Sequence, residues 1–205
     1  EVSAMKGVPQ APEYHPEGDV FEHTRLTLKI FGGGSKIMAF AVLLHDVGKP
    51  ATFSMDGRAR FNNHHEVGAS MAESILRRLR LSGETVLRVR DLVRKHMHFL
   101  NVFKMKESTL RRFMAEPDFE ELLELHRIDC LASHSNLRTY EFLREQLERL
   151  KRESRPFTLP PPLIGGDDLI GLGLEPGPVF GRILKETEGT EPTTRRTPHK
   201  RAHKH

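Results

Sequence analysis

The residues Ile37-Met38-Ala39-Phe40-Ala41-Val42-Leu43-Leu44 run straight into His45-Asp46. The run is apolar nearly all round, the pattern of a helix enclosed by others rather than laid on a surface. Ser35 is placed to cap its start, and Gly48 and Pro50 are expected to end it. A chain built around such a helix brings an imidazole and a carboxylate to the edge of its own core. Leaving either unpartnered there costs on the order of several kcal/mol. Two arrangements remove that cost. One is a hydrogen-bonded His–Asp pair at the helix end. The other is a bound metal ion that takes both side chains as ligands and supplies positive charge.

The rest of the chain reads as helical. Asp19 is a plausible N-cap for a first helix, Val20 to Phe31, which Gly32-Gly33-Gly34 breaks. Residues 51–64 are polar, and Asp56-Gly57 signals a turn, so a short hairpin or loop fits there. A third helix is expected from His65 to Leu81 and a fourth from Ser82 to about Phe99, followed by helices near 108–115, 118–134 and 137–153. No stretch shows sustained period-two alternation, and the body is read as all-α. The expected organisation is an irregular entry segment (1–18), a helical body (19–154), a stiff Pro-rich linker (155–163), a small helix-turn-helix appendage (164–188) and a basic, disordered tail (189–205).

Composition narrows the function. A chain of 205 residues suits one domain with a short appendage. The longest apolar run, Ile37 to Leu44, is less than half of the ~20 residues a membrane helix needs. The first residues show no basic flank and no apolar core, so no secretory signal is expected. With one cysteine, Cys130, there is no intrachain disulfide and no thiolate cluster, and the cytoplasm is the expected compartment. The net charge of +4 resides in residues 190–205; the first 189 residues hold 27 basic and 27 acidic side chains. The basic character is therefore a property of the tail.

Twelve histidines are the unusual number, nine of them outside the tail. Around His45-Asp46, the successive helices contribute His23, His65, His96 and Asp129. One His or Asp from each of several helices is a ligand set for a divalent ion. Nitrogen and oxygen donors without thiolate suit Mg, Mn, Fe, Co, Ni or Zn and do not select among them. His64 should point about 100° away from His65, toward the rim of the site. His126, three residues before Asp129, could orient a ligand or cap the core. His98 and His134 are expected at the surface, and His15 near the site.

His23, His45-Asp46 and a distant Asp129, in that order, resemble the HD superfamily of metal-dependent phosphohydrolases. The segments His15-Pro16-Glu17-Gly18-Asp19-Val20-Phe21-Glu22-His23-Thr24, Leu44-His45-Asp46-Val47-Gly48-Lys49, His65-Glu66-Val67-Gly68-Ala69 and the stretch from Asp167 to Pro178 resemble the C-terminal region of bacterial CCA-adding tRNA nucleotidyltransferases and poly(A)-polymerase-like proteins. The resemblance runs from about residue 5 to 186. It implies an HD-type helical bundle in which His23, His45, Asp46 and Asp129 are metal ligands. It also implies that His65 and His96 hold a second ion or contact the substrate, and that Lys49 meets a phosphate oxygen at the rim. Asp46, His65, His96 and Lys49 would then carry the catalysis. The implied substrates are phosphates at nucleotide or RNA 3′ ends, such as 2′,3′-cyclic phosphates, with tRNA as a partner. That family's catalytic head uses an Asp-x-Asp pair, which this sequence lacks, so nucleotide addition is not expected of this chain alone; a fragment, or a protein without its head, is expected instead. The alternative to hydrolysis is a non-catalytic RNA-binding module.

Overall fold

The computed structural model describes residues 1–152, 166–175 and 177–187. The Pro-rich linker and the basic tail expected from the sequence lie outside the described residues. Helix α1 (Val20–Phe31) starts where the Asp19 carboxylate accepts from the Glu22 amide and stops at Gly32, which takes a left-handed φ of 65°. Helix α2 (Lys36–Leu44) starts where the Ser35 hydroxyl accepts from the Met38 amide. A short helix α3 (Lys49–Thr52) leads into an antiparallel hairpin of β1 (Phe53–Asp56) and β2 (Arg58–Phe61), paired Phe53 to Phe61 through Asp56 to Arg58. Then follow α4 (His64–Arg78), α5 (Gly83–Lys95), a 3-10 segment (His96–Lys104), α6 (Glu107–Met114), α7 (Phe119–Ala132) and α8 (Arg138–Arg152). A further helix pair is formed by α9 (Gly166–Gly171) and α10 (Pro178–Thr187). The fold is all-α apart from the hairpin.

Helix α2 lies at the centre, packed against α1, α5 and α7, and α4 lies along α5. Ala41, Val42 and Leu44 are buried among Val89, Leu92, Val93, Leu125 and Ile128. Three boundaries differ from expectation. Helix α2 ends at Leu44, and Pro50 does not end it; Pro50 sits in the first turn of α3, where a missing amide hydrogen costs nothing. Helix α4 stops at Arg78 because Arg80 turns to a φ of 58°. The fourth helix stops at Lys95 and continues as the 3-10 segment, which places His96 at the junction. No helix among the described residues is long and apolar enough to cross a membrane.

Residues 1–19 strap across the bundle. The Gly7 amide donates to the Asp19 carboxylate at 2.7 Å, and the Val20 amide to the Val8 carbonyl at 3.1 Å. Met5, part of this strap, is completely buried.

Candidate metal centre

The centre forms where five helix ends or faces meet. Helix α1 contributes His23, the end of α2 contributes His45 and Asp46, α4 begins with His64, α5 ends against His96, and α7 contributes Asp129. His23, His45, Asp46, His64 and His96 are all buried. Ligand atoms of His23, His45 and Asp129 lie within 4.8 Å of one another, and so do those of Asp46, His64 and His96. The Asp46 carboxylate faces both groups. Its Oδ2 is 3.3 Å from His45 Nε2 and 3.8 Å from His23 Nε2. Its Oδ1 is 3.6 Å from His64 Nε2 and 3.8 Å from His96 Nε2.

The chain fixes which nitrogens face inward. The Nδ1 hydrogens of His45, His64 and His96 donate to the carbonyls of Val42, Phe61 and Val93 at 2.9, 2.9 and 2.6 Å. In the neutral form each ring therefore presents an Nε2 lone pair to the centre. Burial keeps two of these rings neutral: His64 is lowered, and His96 is pushed down to about 3. The bare Nε2 atoms of His64 and His96 lie 3.2 Å apart beside a carboxylate oxygen. Acceptors gathered this closely, with no hydrogen between them, suit a cation. Burial pushes the Asp46 carboxyl up, but the charges of His45 and Lys49 outweigh it and hold Asp46 well below the usual carboxylate range.

His23 differs, lying between two carboxylates. Its Nδ1 is 2.5 Å from Glu17 Oε1 and its Nε2 is 3.0 Å from Asp129 Oδ1. Burial disfavours the charged ring, but the two hydrogen bonds prevail and push its pKa up to about 9. Asp129 is held below its ordinary value; burial raises it, and the His23 bond and the His45 charge outweigh burial. An ion taken up at Nε2 displaces the His23 proton. Uptake at pH 7.5 is expected to release about one proton from this ring, falling toward zero as the pH rises through 9, as read by calorimetry in buffers of different ionisation enthalpy. The raised pKa also stabilises the ion-free fold below the unfolded value of about 6.5, and that stability is lost as the pH rises through 9. Glu17 fixes the ring orientation, and Glu17→Gln is expected to weaken ion binding by roughly 10- to 100-fold.

The structure brings together His23, His45, Asp46, His96 and Asp129. His65 is corrected. Helix α4 starts one residue earlier than expected, on Asn63 in a left-handed conformation with a φ of 58°, so His64 turns into the centre. His65 is half-buried, edge-on to the His64 ring with centroids 5.9 Å apart, and belongs to neither ligand group. Lys49 is also corrected. It is buried rather than at the rim, with Nζ 2.8 Å from Asp46 Oδ2 and 2.6 Å from Gln10 Oε1. His126 stacks on Phe99 at 4.3 Å, and its Nε2 lies 3.6 Å from Cys130 Sγ. Burial pushes the Cys130 thiol up to about 12. His15 lines the site and bonds Glu17 at 2.9 Å, while His98 and His134 are exposed. Three contributors escaped the sequence reading: His64, Glu17 and Gln10. A cleft of about 580 Å³ opens onto the centre, bounded by the hairpin, the 3-10 segment, α7 and Tyr14.

A helical bundle that gathers one His or Asp per helix around an adjacent His-Asp pair defines a class, the HD domain. The chain belongs to this family: residues 20–133 match the HD domain. Among curated relatives, it is similar to the A-adding tRNA nucleotidyltransferase of Deinococcus radiodurans, 33% identical over 199 residues, covering 90% of this chain and 45% of the relative. It is also similar to the CC-adding tRNA nucleotidyltransferase of Thermus thermophilus, 38% identical over 151 residues, 71% of this chain and 33% of the relative. A Multifunctional CCA protein of Alkalilimnicola ehrlichii is 35% identical over 116 residues, 56% of this chain and 28% of the relative. The chain spans less than half the length of each of these relatives.

Proposed function

We propose that the chain is a metal-dependent phosphohydrolase of the HD type, acting on phosphates at nucleotide or RNA 3′ ends, 2′,3′-cyclic phosphates among them. One observation carries the reading: the bare, buried Nε2 atoms of His64 and His96 against Asp46 Oδ1, an acceptor-only pocket at the floor of a cleft. His23, His45, Asp46 and Asp129 would hold one divalent ion, and Asp46, His64 and His96 would hold a second. Bound there, the metal supplies a Lewis acid and a water whose pKa falls toward ~7.

The remaining work falls to the chain's own side chains. Lys49 gives one N–H to Asp46 and one to Gln10, which leaves a third for a phosphoryl oxygen. Its charge is fixed in place before substrate arrives and offsets charge that gathers on the phosphoryl group. The Nδ1 bonds to Val42, Phe61 and Val93 hold the ligand rings in one tautomer and one orientation. Nucleotide addition is no part of the proposal. The names of two of the relatives make tRNA the RNA to try first.

The test is hydrolysis of a 2′,3′-cyclic nucleotide by metal-stripped protein titrated with Mg, Mn, Co, Ni and Zn. Turnover that returns and saturates with at least one ion is expected. A folded protein that turns over nothing with any of the ions overturns hydrolysis of this substrate class and leaves the chain as an RNA-binding module.

A further inference from the structure

The cleft is larger than the chemistry at its floor requires. Its volume, about 580 Å³, lies within the roughly 300–1,000 Å³ of sites that enclose a whole organic ligand. Three Lys or Arg side chains line it: Lys49, Arg58 and Arg60. Lys49 is taken up by Asp46 and Gln10, and the Arg60 guanidinium lies 3.2 Å from the Asp56 carboxylate. The Arg58 side chain has no hydrogen bond or ion pair among the described residues. The strand sets its place. On β2, Ala59 and Phe61 are half-buried, while Arg58 and Arg60 stay exposed. Phe61 lies under Lys49, with the Nζ 5.3 Å from the ring centroid. A buried cation thus stands at the floor and a free guanidinium at the mouth. Exposed Tyr14 and Leu100 line the same cleft and offer apolar surface to a base or ribose.

We propose that Arg58 binds a substrate phosphate other than the one cleaved, so that the cleft takes the last two nucleotides of an RNA in preference to a mononucleotide. Arg58 is a specificity-determining residue in this arrangement. A guanidinium is always charged and presents five donors in a fork that matches a phosphate. The inference rests on the phosphohydrolase reading for the position of the cleaved phosphate.

The experiment compares adenosine 2′,3′-cyclic phosphate with the dinucleotide ApA carrying the same cyclic end. The readout is the ratio of kcat/KM on the two. The wild-type protein is expected to favour the dinucleotide by about tenfold, through KM, the lower end for a charged hydrogen bond. Arg58→Ala brings the ratio near one and lowers the salt slope of dinucleotide binding by about 0.7. Arg58→Lys restores part of the preference, and Arg60→Ala leaves the ratio within about twofold, since Arg60 is already engaged. An unchanged ratio in Arg58→Ala overturns the proposal. If the wild-type protein hydrolyses neither compound, the catalytic reading fails on its own account. Equilibrium dialysis of both compounds against ion-free protein then reads Arg58 directly, with the same tenfold preference expected. Equal dinucleotide affinity of wild type and Arg58→Ala in dialysis overturns the inference.

Discussion

Asp46→Asn is expected to lower both hydrolysis and divalent-ion affinity by more than about a hundredfold, beyond the 10- to 100-fold typical of a residue that only orients a ligand. Both oxygens of Asp46 are in use. Oδ1 faces the Nε2 atoms of His64 and His96, and Oδ2 faces His45, His23 and Lys49. The substitution keeps the shape and removes the charge that both ligand groups share. It also introduces an N–H beside two bare ring nitrogens. If the new amide turns that way, the pocket gains the internal donor it now lacks, and the two rings become partnered without an ion. Lys49 loses its counter-charge and keeps only Gln10, so the fold weakens as well. Turnover and calorimetric binding are therefore compared at a temperature where circular dichroism shows the helices intact. Turnover within tenfold of wild type would remove Asp46 from the chemistry.

Gly48→Ala is expected to destabilise the protein by about 3 kcal/mol or more, which lowers Tm by roughly 6–12 °C in a domain of this size. The reason is space and not backbone freedom, because the Gly48 φ of −80° suits any residue. A methyl group there would lie 2.2 Å from the His64 carbonyl oxygen, 2.5 Å from the Gly68 amide nitrogen and 2.9 Å from its Cα. All three atoms are backbone and cannot swing aside. Helix α4 would have to withdraw, taking His64 from Asp46, so ion affinity should fall along with stability. Gly68→Ala is milder, its nearest contacts being Gly48 N at 3.3 Å and Val93 Cγ1 at 3.4 Å. Thermal melts with and without added ion measure both effects. A Tm for Gly48→Ala within about 2 °C of wild type would contradict the close approach of the two helices.

The HD-type bundle was legible because its signals are local. Asp19, Ser35 and Ser82 announce three helix starts, and the run Ile37 to Leu44 declares its own central place. One His or Asp per helix could be picked out by its poor fit to an apolar face. The choice between His64 and His65 was not legible from spacing. It depends on a helix start shifted by one residue, which rotates the pair by about 100° and exchanges their roles. The one cue was Asn63, a residue that tolerates the left-handed conformation that sets the start. The depth of Lys49 could have been inferred from its i+3 spacing to Asp46, which sets the two side chains on one face of the turn. Glu17 and Gln10 carry no such signal. They come from irregular chain, where periodicity says nothing, and reach the centre through the pairing of Pro9 with Asp19.

That strap redraws the boundary of the unit. The family match begins at residue 20, and a module cut there would keep every α-helix and every proposed ion ligand. It would lose Glu17, which steers His23, and Gln10, which shares Lys49 with Asp46. It would also lose Met5, which is completely buried in the intact fold. A recombined or transplanted domain that starts at the first helix would carry its ligands without the groups that aim them. A unit that keeps its site aimed therefore includes the strap residues Met5, Gln10 and Glu17 along with the bundle.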